Sequence, residues 1–187
     1  MSGPRDELEV KGLVPDVAAL ESALTRAGAV VEFSGEMVDL RFDRGRDLAG
    51  RDEMLRLRVY RPADGPARGE LGWKGPIGAR DGYRHRPEVE VTVGDPEAAL
   101  ELVRRLGFSE SQRIERAVTV YRLGGATLRV ERYPDMDVLM EVEGEPEAIE
   151  RAIRATGLPR RDFRAESLPE FVERFEARTG RRARLAR

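Results

Sequence analysis

Successive side chains on a β-strand point to opposite faces, so a strand over Glu7-Leu8-Glu9-Val10-Lys11 sets two carboxylates and an ammonium against two apolar groups. The same alternation recurs in Arg56-x-Arg58, Arg84-x-Arg86-x-Glu88-x-Glu90, Arg129-x-Glu131 and Glu141-x-Glu143, with mostly Leu, Val, Tyr or Trp between. A sheet of such strands has one apolar face and one crowded with both signs of charge. The bland reading is an ordinary solvated face with weak ion pairs. A solvated face mixes in Thr, Ser, Gln and Asn, whereas these positions are almost purely Arg, Lys and Glu. The favoured reading is therefore a sheet curled into a barrel, charges inward, caging a polyanion together with metal ions.

The punctuation along the chain supports that architecture. Three times an acidic strand is followed by Gly, a Pro-acid helix start and a helix stopped by Gly: Pro15-Asp16 to near Gly28, Asp95-Pro96-Glu97 to Gly107, and Glu145-Pro146-Glu147 to Gly157. A further helix starts at Ser167, with Pro169 in its first turn. Strand-like runs cover 30–42, 54–60, 70–74, 83–93, 114–121, 126–133 and 137–142, besides the opening strand. About eight strands with helices outside suit a closed antiparallel barrel in an α+β fold. Asp43 to Asp52 reads as a mobile loop at one mouth, and the basic stretch 181–187 as a solvated end.

Composition narrows the chemistry. The 187 residues suit a single domain over 1–187, and 33 basic against 35 acidic side chains leave no global field for nucleic acid. Any anion recognition must be local. Cysteine is absent and His85 is the only histidine, which removes disulfides, thiol nucleophiles and zinc fingers. A metal would be a hard cation held by oxygens. No apolar run approaches membrane-spanning length and no signal stretch opens the chain, so a cytoplasmic protein without membrane contact is expected. Trp73, Tyr121 and Phe171 read as packing residues, and parity turns His85 away from Arg84 and Arg86.

Both signs of charge have a use if the ligand is a triphosphate. Arginine and lysine bind phosphate oxygens, and carboxylates hold the divalent ions that bridge to them. No Gly-rich Walker loop is present, so a P-loop enzyme is excluded.

At these residues the chain resembles the CYTH superfamily of triphosphate tunnel metalloenzymes, which includes class IV adenylate cyclases and thiamine or inorganic triphosphatases. Glu7-x-Glu9-x-Lys11 matches its signature, Leu55-Arg56-Leu57-Arg58 its Leu-Arg-Ile-Arg strand, and Gly72-Trp73-Lys74-Gly75-Pro76 its Lys-Gly-Pro strand. Arg86-x-Glu88-x-Glu90 is similar to its central Arg/Glu strand, and Met140-Glu141-Val142-Glu143 to its late Phe-x-Glu-Ile-Glu element. The five elements occur in the family's order over about 5–175. The resemblance implies an eight-stranded tunnel barrel in which Lys11, Arg56, Arg58, Lys74, Arg86 and Arg116 bind the triphosphate. It implies further that Glu7, Glu9, Glu131, Glu141 and Glu143 hold one or two ions, Mg²⁺ or Mn²⁺, and that Glu7, Glu9 and Lys11 serve catalysis. The chain departs from the pattern where the family commonly has Lys-x-Arg before a Tyr: here Arg116-Ala117-Val118 precedes Tyr121, with Arg113 as a candidate substitute. Glu131 stands where the cyclases usually have Asp, and the turn Tyr133 to Asp137 leaves the roles of Asp135 and Asp137 open.

The lost basic group at Val118 and the lack of a base-reading set favour hydrolysis of the terminal phosphate of a small-molecule triphosphate. Two alternatives stand: a class IV adenylate cyclase making cyclic AMP and pyrophosphate, and a non-catalytic polyphosphate-binding module. A monomer or a homodimer is compatible with the sequence.

Overall fold

A computed structural model describes residues 5–187; the first four residues of the expected domain lie outside the described residues. Strands β1 (Arg5–Leu13), β2 (Val30–Asp43), β3 (Met54–Pro62), β4 (Arg68–Lys74), β6 (Tyr83–Val93), β7 (Ser109–Leu123), β8 (Ala126–Arg132) and β9 (Leu139–Glu143) form one antiparallel sheet in the order β1-β9-β8-β7-β2-β3-β4-β6. The sheet closes on itself through β1 and β6, with Glu7 opposite Arg86 and Glu9 opposite Arg84. Two short strands, β5 (Gly78–Arg80) beside β6 and β10 (Phe163–Arg164) beside β1, lie outside the ring. The expected eight-stranded closed barrel is what forms.

Closure follows from the alternation. Leu8, Val10, Leu128, Val130, Met140 and Val142 point outward and pack under helices α1 (Val17–Arg26) and α3 (Pro146–Thr156), against Leu20, Leu24, Ile149 and Ile153. Val38, Leu40, Phe42, Leu57 and Val59 point outward under α2 (Pro96–Arg105), against Val103. Each such side chain contributes about 1.5–3 kcal/mol by leaving water. Because outward positions are apolar, the charged positions have the lumen left to them.

The helix boundaries agree with their local signals. Asp16 accepts from the Ala19 N–H at 2.9 Å, and Asp95 from those of Glu97 and Ala98 at 3.0 and 2.9 Å. Helix α4 (Leu168–Thr179) opens on a reciprocal capping box between Ser167 and Glu170, and ends on Gly180 at φ 68°.

Three expectations change. Strand β7 is longer than the run 114–121, because its hydrophilic start at Ser109 finds a partner in the end of β2. The loop after Asp43 is knit together, its carboxylate accepting the N–H groups of Arg44, Leu48 and Ala49 at 2.6–3.0 Å. The tail is no solvated end: Leu185 accepts the Glu115 N–H at 2.6 Å and packs against the cluster of Ile114, Tyr133, Leu139 and Phe171, while Arg187 pairs with Glu36 at 2.8 Å. Basic composition hid one apolar anchor and a row of acids waiting beside it.

Candidate active site

Side chains from all eight staves meet in the lumen. At one end the barrel opens between the loop after β2, the turn around Ile77 and the first residues of α4, which contribute Ala49, Asp52, Ile77, Ser167, Leu168 and Pro169 to the rim. Towards the other end Phe33, Met37, Tyr60, Val118 and Val120 form an apolar cluster inside the ring, with the Phe33 and Tyr60 rings edge-to-face at 5.1 Å. Between them lies a cavity of about 330 Å³.

Ten of the residues singled out from the sequence line that cavity: Glu7, Glu9, Lys11, Arg56, Arg58, Lys74, Arg86, Arg116, Glu131 and Glu141. Glu143 does not line it, because its carboxylate is turned to Arg129 at 2.6 Å. Arg113 points out of the barrel and pairs with Glu110 at 3.0 Å, so it does not substitute for a basic group at Val118. Asp135 and Asp137 also lie apart from the cavity, pairing with Arg181 at 2.6 Å and Arg178 at 2.7 Å to hold α4 and the tail. As expected, Trp73 lies on the outer side, donating to Glu53 at 3.3 Å, and His85 faces outward, 2.9 Å from Asp6. Tyr121 and Phe171 are packed in apolar clusters.

Sequence reading missed three lumen residues, Asp39, Tyr133 and Arg41, and placed Arg129 on the charged face without its partners. Asp39, on β2, accepts two bonds from Arg58 at 2.7 and 3.0 Å and one from Arg116 at 2.8 Å. Tyr133 donates to Glu131 at 2.7 Å. Arg129 bridges Glu141 at 2.8 Å and Glu143. Arg41 donates to the neutral Gln112 at 2.7 Å. Inward parity with Arg56 and Arg58 across β2 and β3 would have found Asp39 and Arg41, had the register been visible.

The ion pairs divide the carboxylates into two kinds. Burial pushes Glu131 and Glu141 up, but Arg116 and Lys11 outweigh it for Glu131, and Lys11 and Arg129 for Glu141, so both lie below the usual carboxylate range. Asp39 is held well below that range by Arg116 and Arg58, which overcome its burial. Glu7 and Glu9 go the other way: burial raises both, and neighbouring acids, Glu141 among them, add to the rise despite the contacts of Glu7 with Lys74 and of Glu9 with Arg84. These two are the under-compensated acids of the lumen.

Over the whole lining the charges nearly cancel. Eight cationic and seven acidic side chains line the cavity, so a polyanion entering alone would leave the lumen strongly negative. A divalent cation is the natural counterweight, and the oxygen-only donor set suits a hard one. Among the described residues no three acids converge as a ready metal cage; the carboxylates are turned onto lysine and arginine. A cation arriving with its anion would take over carboxylates as those basic groups turn to the phosphates, so the residues fit the pair better than either ion alone.

A closed barrel with this lumen defines a tunnel lined by charges of both signs. The chain belongs to the CYTH family, whose CYTH domain matches residues 5–158, a family of divalent-metal-dependent enzymes that act on triphosphates. Among solved structures it is similar to a protein from Vibrio parahaemolyticus provisionally called an adenylate cyclase, with 17% identity and a TM-score of 0.76 over 92% of this chain and 99% of that one. It is similar also to the PH1819 protein of Pyrococcus horikoshii, with 24% identity and a TM-score of 0.71 over 90% and 98%. A third, from Hippeastrum, is described as an adenylyl cyclase candidate with a dominant triphosphatase activity; it has 21% identity and a TM-score of 0.65 over 96% and 98%. At these identities the structures establish the fold. No curated protein matches the sequence. No helix among the described residues is long and apolar enough to cross a membrane.

Proposed function

We propose that this protein hydrolyses the terminal phosphate of a small-molecule triphosphate with the help of Mg²⁺ or Mn²⁺. The observation that carries the reading is the nearly balanced lumen, whose eight cationic and seven acidic side chains suit a polyanion arriving with a divalent cation. Lys11, Arg56, Arg58, Lys74, Arg86 and Arg116 bind phosphate oxygens and fix the chain in line for attack. Glu7 and Glu9 are the leading metal ligands, because their negative charges are the least compensated; Glu131 and Glu141 complete the donor set once their basic partners turn to phosphate, while Glu143, expected as a ligand, stays with Arg129 outside the cavity. When bound, the metal offsets phosphate charge and lowers the pKa of an attacking water. In hydrolysis the water oxygen bonds to the terminal phosphorus and gives up a proton to solvent, the bridging P–O bond breaks, and the charge left on the bridging oxygen is met by the arginines.

A second reading, cyclisation of ATP with release of pyrophosphate, draws on the apolar side chains Ile77, Leu168 and Pro169 of the rim and Met54 beside them, which offer a surface to a nucleoside. A non-catalytic polyphosphate binder is disfavoured by carboxylates that serve no anion. The ligand is a small molecule; the proposal includes no nucleic acid, no membrane and a cytoplasmic monomer or homodimer. The test is a turnover screen with tripolyphosphate, ATP and thiamine triphosphate, scoring phosphate release against cyclic nucleotide. Phosphate release without cyclic nucleotide supports hydrolysis, cyclic AMP supports the second reading, and metal-independent binding without turnover defeats both.

A further inference from the structure

Of the cations that face the lumen, Arg41 differs from the rest. Lys11, Arg56, Arg58, Lys74 and Arg116 each pair with an acid. Arg86 is held by the backbone oxygens of Gly75 and Asp52 with the Asp52 carboxylate 3.9 Å away. Arg41 lines the cavity and, among the described residues, makes no ion pair; its one side-chain partner is the amide oxygen of Gln112, and its buried Nε has no partner, as is also true of Arg56 and Arg84, which unlike it each hold a carboxylate. Burial pulls it down to about 10, and Arg56, Arg116 and Arg58 add to this against the attraction of Asp39. A half-buried guanidinium facing three others without a counter-charge is costly unless an anion comes to it.

Its position says which part of the anion. Arg41 lies opposite Arg56 and Gln112 across the strands, and two residues before Asp43, which anchors the loop at the rim. It therefore belongs to the outer part of the cavity, while Arg58, opposite Asp39, lies one step deeper, and Arg116, opposite Met37 and bonded to Asp39, a step deeper again. We propose that Arg41 is a specificity-determining residue that binds the outermost phosphate of an unsubstituted chain, so that inorganic tripolyphosphate is favoured over a nucleoside triphosphate. The reason lies in the ligands: a free end phosphate carries more charge and more open oxygens than an α-phosphate esterified to a nucleoside, and a nucleoside is too bulky to lie anywhere but outermost. This rests on the triphosphate reading and names the substrate within it.

Steady-state kinetics with tripolyphosphate and ATP on the parent, Arg41→Gln, Arg41→Lys and Arg58→Ala, beside melts with and without tripolyphosphate and Mg²⁺, tests it. In Arg41→Gln the kcat/KM for tripolyphosphate falls about ten- to hundred-fold, mainly through KM, as for loss of a charge-assisted hydrogen bond. The fall for ATP is smaller, Arg41→Lys lies between, and the ligand-free melt is at or above the parent's, showing that the fold is intact. Equal losses for both substrates, no loss for either, or a parent that prefers ATP overturns the inference while Arg58→Ala still reports a working triphosphate site. A parent that neither turns over nor is stabilised by either ligand overturns the triphosphate reading itself and this inference with it.

Discussion

A single residue here can be judged by whether its charge is matched. Asp39 is matched twice over, so Asp39→Asn leaves Arg58 buried without its counter-charge and Arg116 with Glu131 alone, and is expected to lose about 3–5 kcal/mol in urea unfolding, before any ligand is present. Glu9 is the opposite case. Its folded pKa is raised, so its contribution is fully present below the unfolded carboxylate value and is lost as pH rises through the folded one. Glu9→Gln should therefore melt at or above the parent at pH 8, with the difference closing toward pH 4, while metal-dependent turnover disappears. Melts at the two pH values, with a turnover assay at pH 8, check both halves. For Asp39 and Glu141, whose folded pKa values are depressed, the sign reverses: their stabilisation is present above the usual carboxylate range and lost on acidification through the folded values.

At the level of the element, α4 matters more to the site than its distance along the chain suggests, since Ser167, Leu168 and Pro169 form part of the rim. Ser167→Ala removes half of a capping box and should cost about 1 kcal/mol of stability, measured by thermal unfolding. Much of this level was legible beforehand: the four helices start at their acids or Ser167 and stop at Gly or just before it, and strand parity placed Glu7, Glu9 and Lys11 on one face because period two is a local property. What was hidden is pairing between strands. Asp39 interrupts a hydrophobic run, and nothing in that run shows that Arg58 lies opposite it or that Arg116 reaches it from the other side. Arg129 was visible as an inward position, yet its place between Glu141 and Glu143 depends on the register of β8 with β9. The tail was misjudged for the same reason, its anchors lying on β7 and at Asp135, far away in sequence.

For the molecule as a whole, ligand and fold are linked. Tripolyphosphate with Mg²⁺ should raise the melting temperature, and raise it less for Lys11→Ala and Arg56→Ala, because a ligand stabilises only as far as it binds the native state. A purely structural lumen would instead show ligand-independent losses in both variants. The barrel's seam has a kinetic consequence as well. Strand β1 finds its neighbours in β6 and β9, which follow it by some 75 to 130 residues, whereas most of the other staves neighbour a strand close to them in the chain. During synthesis the segment carrying Glu7, Glu9 and Lys11 emerges early and must wait, unpaired along one edge, until β9 has left the ribosome. Long-range pairing of this kind is slow, so the cask closes only when β9 is set against β1, and the charged lumen is whole only then.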